Sequence, residues 1–547
     1  MKNNRVVVLL ITAMMLLALL AGCGGAQAPE STGSAGASGT EGSSVAADTS
    51  SAALEPITLK VVAKSWEDVA PSKKDQFLWQ EYEKKTNVKI EWTEVPVVAM
   101  EERKSTMMAS GDLPDIFYQY ESFTNEEIAL YGSQGIFITL DDKLDKLPNL
   151  SKLMDTLPSV QPSITMLDGH IYSFPYVIDS PSGLTCRYYV KKDYLEQSGL
   201  KTIETLGDYE TYMKYVKTVQ KNGKQAYGVW QSPHTTWFFE MQLMGSYSLC
   251  DNGFQQYLQR VYDPGDGKLK FTFTDPKLKE LWQRMAMWIK EGYWNKEILT
   301  NGVEYPEWVT AGTEGQVGSF TWSGAQFLYS DAPKDYVAFS AFEGPYGRVL
   351  SWADTPVRGL AGAMITNKCK NVDRALSWLD YWYGEEGFQF AKLGVEGVTY
   401  NVVDGKHQYT DIINNYEGGK QLGAFQQGLF AYGGGLPFYE PKNNLGNELN
   451  NTTFEEQTGC TEESILKYYP KEVWPAFLGS AEEIDELATF QADIVTYIDE
   501  SRNKFLSGQW NFDSDWDAYV DQLNKLHTDR YVEIKQAQYD RYKAIKK

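Results

Sequence analysis

The stretch Ser110-Gly111-Asp112-Leu113-Pro114-Asp115-Ile116-Phe117 closes one element and opens another. Gly111 stands just past a helical run over Val98 to Ala109, a usual stop signal. Pro114 disfavours helix at Leu113, so the apolar pair Ile116-Phe117 begins a strand. Upstream, Ile57, Leu59 and Val61 alternate with polar residues in a strand pattern that ends at Ser65-Trp66-Glu67-Asp68. Pro71 opens a helical stretch through Tyr82, and Val88, Ile90 and Trp92 alternate again. The order β-α-β-α-β predicts an α/β lobe with a largely parallel sheet. Ligands of such sheets sit beyond the carboxyl ends of the strands, which singles out Trp66 after the first strand and Tyr118, Tyr120 and Glu121 after the third.

The chain has 547 residues, 42% hydrophobic and 14% aromatic, enough to bury more than one core. Its formal charge of -22 would repel a phosphate backbone, and Lys and Arg concentrate nowhere without interleaved acids, so nucleic-acid binding is not expected. Lys2 and Arg5 precede an apolar run from Val6 to Leu20, followed by small residues, the layout of an export signal. The run falls short of the roughly 20 apolar residues of a membrane span. Leu20-Ala21-Gly22-Cys23 resembles the lipobox of bacterial lipoproteins, which implies a lipidated Cys23 and a chain held at the membrane. Residues 24 to 54 are Gly, Ser, Ala and Thr with a few acids, a tether that cannot offset its own ordering entropy.

Chemistry-bearing motifs are few. Cys186, Cys250, Cys369 and Cys460 form no C-x-x-C pair and are expected as buried free thiols, although an exported setting permits disulfides. Four histidines stand far apart, and no G-x-S-x-G, P-loop, G-x-G-x-x-G or calcium-loop pattern is present. No cofactor or structural metal is expected.

Ser110-Gly111-Asp112-Leu113-Pro114-Asp115-Ile116 resembles the S-G-D-x-P-D-[IV] signature of the extracellular solute-binding proteins of ABC importers, family 1, especially the long sugar-binding lipoproteins of Gram-positive bacteria. Asp168-Gly169-His170-Ile171-Tyr172-Ser173-Phe174-Pro175-Tyr176 is similar to that family's D-G-K-x-Y-x-x-P-Y hairpin, with histidine in place of lysine. Arg187 to Leu200, Gly394 to Tyr400 with Val403 to Lys406, and the closing helices from Trp516 to Tyr542 continue the likeness in order. The resemblance implies a two-lobed, periplasmic-binding-protein-like fold of type II, each lobe a mixed, mostly parallel sheet flanked by helices, joined by hinge crossings. The boundaries read as signal peptide 1–22, lipidated cysteine and linker 23–55, first lobe 56–178, second lobe 179–349, a return to the first lobe 350–405, and 406–547 completing the second lobe with closing C-terminal helices. In the family, the strand at Gly315 to Phe320, which leads into Thr321-Trp322-Ser323-Gly324, is followed by a helix whose first turn faces the ligand.

The resemblance also implies a function: a monomeric, lipid-anchored receptor facing the outside of a Gram-positive cell, which captures an oligosaccharide and presents it to ABC permease subunits driven by a separate ATPase. The 16 Trp and 35 Tyr suit this, because a sugar's C–H face can lie on an aromatic ring while polar neighbours take its hydroxyls. Trp66, Tyr118, Tyr120, Trp230, Trp237, Trp322 and Trp352 are the candidates for stacking, and Glu121, Arg187 and Glu396 for hydrogen bonding. For each alone, core packing or structural pairing is the competing reading. Two rival classes are a surface glycan-degrading enzyme, which needs only a carboxylate pair, and a scaffold or adhesin without a small ligand.

Overall fold

The computed structural model describes residues 55–65, 70–119, 122–181, 183–231, 236–299, 305–329, 331–417, 420–429, 436–442 and 454–545. All belong to one compact unit, Leu54–Lys547. Cys23, the tether, Trp66, Tyr120 and Glu121 lie outside the described residues.

Strand β1 (Ile57–Ser65) alternates in burial at its start and is buried throughout from Val61, as a strand paired on both edges and covered on both faces must be. Helix α1 (Phe77–Thr86) leads to β2 (Val88–Pro96), and α2 (Met100–Ser110) to β3 (Ile116–Tyr118). Both strands pair with β1 in parallel, Ile57 opposite Val88 and Val61 opposite Ile116. Helix α2 stops on Gly111 at φ 71°, a left-handed position that glycine takes without strain. The helix expected from Pro71 begins only at Phe77. Glu94 accepts hydrogen bonds from the Ser72 hydroxyl and, at 2.9 Å, from the Lys73 amide, holding that segment in a short turn first.

After β4 (Phe174–Ile178) the chain enters the second lobe at β5 (Arg187–Lys191). There α3 (Thr236–Met244), α4 (Phe254–Gln259) and α5 (Pro276–Lys290) precede β6 (Ser319–Trp322) and β7 (Tyr336–Phe339). Strand β5 lies between β6 and β7 and runs antiparallel to both. Among the described residues the second sheet is therefore antiparallel rather than mostly parallel, and parallel pairing appears beside it as isolated bridges such as Tyr227 with Val317 and Val229 with Trp294. Tyr227 and Val229 thus pair through single bridges and belong to no longer strand. The helix expected after Trp322 is a single turn, Ala325–Phe327, too short to offer a row of free amides.

The chain then returns along β8 (Val357–Ile365), antiparallel to both β3 and β4, continues into α6 (Val372–Asp380), and adds β9 (Phe438–Glu440) in parallel to β4. The first sheet thus reads β9-β4-β8-β3-β1-β2. Gly362 lets β8 pass close to its neighbours, since a Cβ there would lie 2.4 Å from the Phe174 carbonyl oxygen. Helices α7 (Gln491–Leu506), α8 (Phe512–Lys525) and α9 (Thr528–Ile545) close the second lobe.

Burial follows the two sheets. One core draws on residues from Leu59 to Leu184 and from Leu360 to Phe438; another runs from Cys186 to Trp352 and from Trp474 to Tyr539. Strand β5 separates the second core from a third cluster: Tyr188 and Val190 face one and Tyr189 the other, the alternation of a pleated strand. Tyr409, Ile413 and Phe438 pack in the first core, where the sequence reading had placed 406 onward in the second lobe. The pairing of β9 on β4 keeps the chain there through Glu440. Cys186, Cys250 and Cys369 are buried free thiols and Cys460 is a half-buried one.

Candidate ligand-binding cleft

The passages from β4 to β5 and from the second lobe back to β8 run side by side. Thr185 and Ala353 form an antiparallel bridge, and the Asp354 amide donates to the Leu184 carbonyl at 3.1 Å. Asp354 is buried at this crossing. Burial pushes its carboxyl up to about 6, an effect partly offset by the Arg358 guanidinium 3.8 Å away. Burial likewise pushes the Cys186 thiol up to about 12, which leaves it an inert neutral group.

Beside the crossing on the second-lobe side lies a surface of aromatic rings. At the start of α3, Trp237 stacks on Tyr257 at 5.6 Å between centroids and on Trp352 at 6.0 Å, the planes 9° and 16° apart. Phe254 stacks on Trp352 at 5.1 Å. Phe238 meets Trp352 edge-on at 4.2 Å and tilts toward Trp322 at 5.7 Å. Trp237, Phe238 and Trp322 remain half-exposed, whereas Trp352 is 6% exposed. Packed rings that keep part of their surface exposed are an apolar platform, and indole edges carry N–H donors.

The underside is polar and satisfied. Helix α3 reads Thr-Trp-Phe-Phe-Glu-Met-Gln-Leu-Met, apolar around its circumference except at Glu240 and Gln242, which are 0% and 1% exposed. Buried polar groups require partners, and both have them. The Glu240 carboxylate accepts from Trp282 Nε1 at 2.6 Å, from Arg502 Nη1 at 3.0 Å and from the Tyr257 hydroxyl at 3.3 Å, tying the platform to α7. Gln231 donates to the Thr321 carbonyl at 2.9 Å and accepts from the Thr321 amide at 2.8 Å, fixing the end of β6 just before Trp322. Arg187 is buried, donates to the Ser323 carbonyl at 2.6 Å and to the Tyr189 hydroxyl at 3.2 Å, and lies over the Phe454 ring at 5.2 Å.

The structure thus brings together Trp237, Trp322, Trp352 and, at their margin, Arg187. Other residues singled out from sequence lie elsewhere. Tyr118 is 0% exposed among Trp79, Trp92 and Trp378 in the first core, its hydroxyl without a hydrogen-bond partner among the described residues. Trp230 is buried in the third cluster, edge-on to Tyr227 at 5.5 Å, with its carbonyl accepting from Trp308 Nε1. Glu396 is exposed on a turn bridged to Tyr400, and none of the described contacts joins it to the aromatic surface.

Sequence reading missed Phe238, Phe254 and Tyr257, and also the polar pair on α3, whose signal was two polar residues in an otherwise apolar helix. It also missed Lys73, at the carboxyl end of β1. There the buried ammonium donates to the Lys64 carbonyl at 2.5 Å, and burial pulls its pKa down to about 8, against the opposing pull of Glu94. The second lobe also holds a cavity of about 800 Å³, between Leu195, Phe339, Arg348, Ile465 and Tyr468. None of the described residues expected to bind ligand lines it, so size alone does not mark the site.

Residues 77–413 match the family described as bacterial extracellular solute-binding protein. The chain belongs to this family. Membership makes it a solute-binding protein of the cell exterior, and the two-lobed α/β expectation stands. Over 557 aligned residues the chain is 25% identical to the fructooligosaccharide ABC transporter substrate-binding protein FusA of Streptococcus pneumoniae serotype 4, covering 97% of each. It is 24% identical over 412 residues to the polygalacturonan/rhamnogalacturonan-binding protein YtcQ of Bacillus subtilis strain 168, covering 73% of this chain and 75% of that one. The crystal structure of alginate-binding protein AlgQ2 without calcium ion superposes with a TM-score of 0.70 at 22% identity, over 89% of this chain and 98% of that chain. At that identity the likeness is one of fold.

Proposed function

We propose that this solute-binding protein captures an oligosaccharide between its lobes and hands it to an ABC permease. The observation that carries the reading is the half-exposed group of Trp237, Phe238 and Trp322 gathered on the buried Trp352 ring beside the two chain crossings. An apolar platform rimmed by hydrogen-bonding groups at a lobe junction is a preferred small-ligand site. The curated relatives FusA and YtcQ, each named for a saccharide, support the same class. Binding requires no reaction: a ligand touching both lobes stabilises the closed state by its differential affinity for it. The protein acts as a monomeric receptor rather than an enzyme, and the energy for import comes from a separate ATPase.

Cys23, lipidated on its sulfur, anchors the chain in this reading. Several acyl chains at about 0.8 kcal/mol per buried methylene hold a protein where a single chain would not. Replacing Cys23 by Ala should move the protein from the membrane fraction to the medium; retention of the variant on the membrane would remove the anchor.

A thermal-shift screen of residues 55–547 against neutral and acidic oligosaccharides, with peptides as controls, tests the ligand class. Saccharide at about 100 times its dissociation constant adds roughly 2.7 kcal/mol of stability, so the melting temperature should rise visibly while the sugar is recovered uncleaved. Shortened sugar would instead favour the glycan-degrading enzyme, and a shift with peptides alone would reject carbohydrate.

A further inference from the structure

We infer that Gln242 is a positioning residue that fixes the aromatic binding surface to both chain crossings, so that hinge geometry and ligand contacts move together; the inference rests on the oligosaccharide-receptor reading. Its side chain is 1% exposed on α3. Nε2 donates to the Cys186 carbonyl at 2.5 Å, and Oε1 accepts from the Trp352 amide at 3.3 Å. Cys186 ends the first crossing and Trp352 begins the second, and the Thr185–Ala353 bridge joins the two just beyond. A carboxamide carries a donor and an acceptor on one rigid plane, so a single buried group spans both crossings.

The same amide sits under the platform. Phe238 lies four residues earlier on α3, hence on the same helical face, and meets the Trp352 ring edge-on at 4.2 Å. Trp237 stacks on that ring at 6.0 Å. On the other side Cys186 precedes Arg187, which holds the Ser323 carbonyl next to Trp322. A shift of either crossing away from Gln242 therefore displaces the aromatic wall attached to it. A residue that only filled space would be replaced without loss by methionine, which has similar length and no hydrogen-bonding plane.

The test compares the wild type with Gln242→Met and with Gln242→Asn, whose shorter side chain keeps the amide but cannot reach both crossings. Near-ultraviolet circular dichroism without ligand reports the Trp237–Trp352 stack, its band assigned by loss in Trp352→Phe. Titrations with kestose, a polygalacturonan oligomer and an alginate oligomer report binding. Both variants should lose that band, keep the far-ultraviolet spectrum, and bind whichever saccharide the wild type takes at least tenfold more weakly. A retained band in both variants overturns the positioning role, as does unchanged affinity in both. If no saccharide binds the wild type, the receptor reading fails, and the ligand-free band still decides whether Gln242 positions the rings.

Discussion

Each lobe contains a dense group of aromatic rings, and the two rest on different backing. In the first lobe Trp79 packs against Trp378 at 5.9 Å, Tyr82 against Trp382 at 4.4 Å and Trp92 against Tyr118 at 6.1 Å, with Tyr118 and Trp382 fully buried. In the second, Trp237, Phe238 and Trp322 keep half-exposed faces over buried Glu240, Gln231 and Gln242. Ring density alone is thus no guide to a candidate binding surface. What sets the second group apart is its place beside the two chain crossings, over a hydrogen-bonded polar layer that holds the rings without full enclosure.

Cutting into the first group should cost stability and leave recognition intact. Trp382→Ala removes a fully buried indole and should lower unfolding free energy by about 3 to 5 kcal/mol, measured by chemical denaturation, with affinity of the folded fraction unchanged. A large loss of affinity without loss of stability would erase the distinction between the groups.

The polar layer at the crossing should show itself in pH dependence. The buried Asp354 carboxyl titrates at about 6 in the folded protein, against about 3.9 in an unfolded chain. Its contribution to stability is complete below about pH 4. It is lost as pH rises through 6, when the folded state must hold a buried charge that Arg358 compensates only in part. Between pH 4 and 7 the wild type should therefore lose about 2 to 3 kcal/mol more than Asp354→Asn. Parallel stability curves for the two proteins would show that Asp354 is solvated.

The exposed platform predicts the reverse of the first change. Trp237→Ala should weaken saccharide binding about tenfold or more, roughly 1.4 kcal/mol, while its melting temperature stays close to that of the wild type. A protein that unfolds before losing affinity would make Trp237 a core residue. The smallest effect belongs to Tyr118→Phe: its hydroxyl is buried without a partner among the described residues, so removing it should leave stability unchanged or raise it by up to about 1 kcal/mol. Weaker saccharide binding in this variant would place Tyr118 at the ligand after all.

The first lobe was legible because its signals are local. Alternation at Ile57, Leu59 and Val61, the glycine stop at Gly111 and the proline at 114 each act within a few residues. The direction of the second sheet was not, since Arg187–Lys191 and Ser319–Trp322 are short strands more than a hundred residues apart, and nothing in either specifies parallel or antiparallel pairing. The site was legible in part. Trp237, Trp322 and Trp352 were picked for their chemistry and do converge, while Tyr118 and Trp230 were picked on the same grounds and are buried. A ring's exposure is set by what the rest of the chain packs on it, which composition does not contain. The carboxyl-end rule named Trp66, Tyr120 and Glu121, which lie outside the described residues.

The most direct measurement is a crystal structure of residues 55–547 with the saccharide that gives the largest thermal shift. The account predicts a sugar ring lying face-on against Trp237 or Trp322, with both crossings within reach of the ligand. A saccharide seated in the cavity beside Tyr468 and Arg348, with the platform empty, would contradict it.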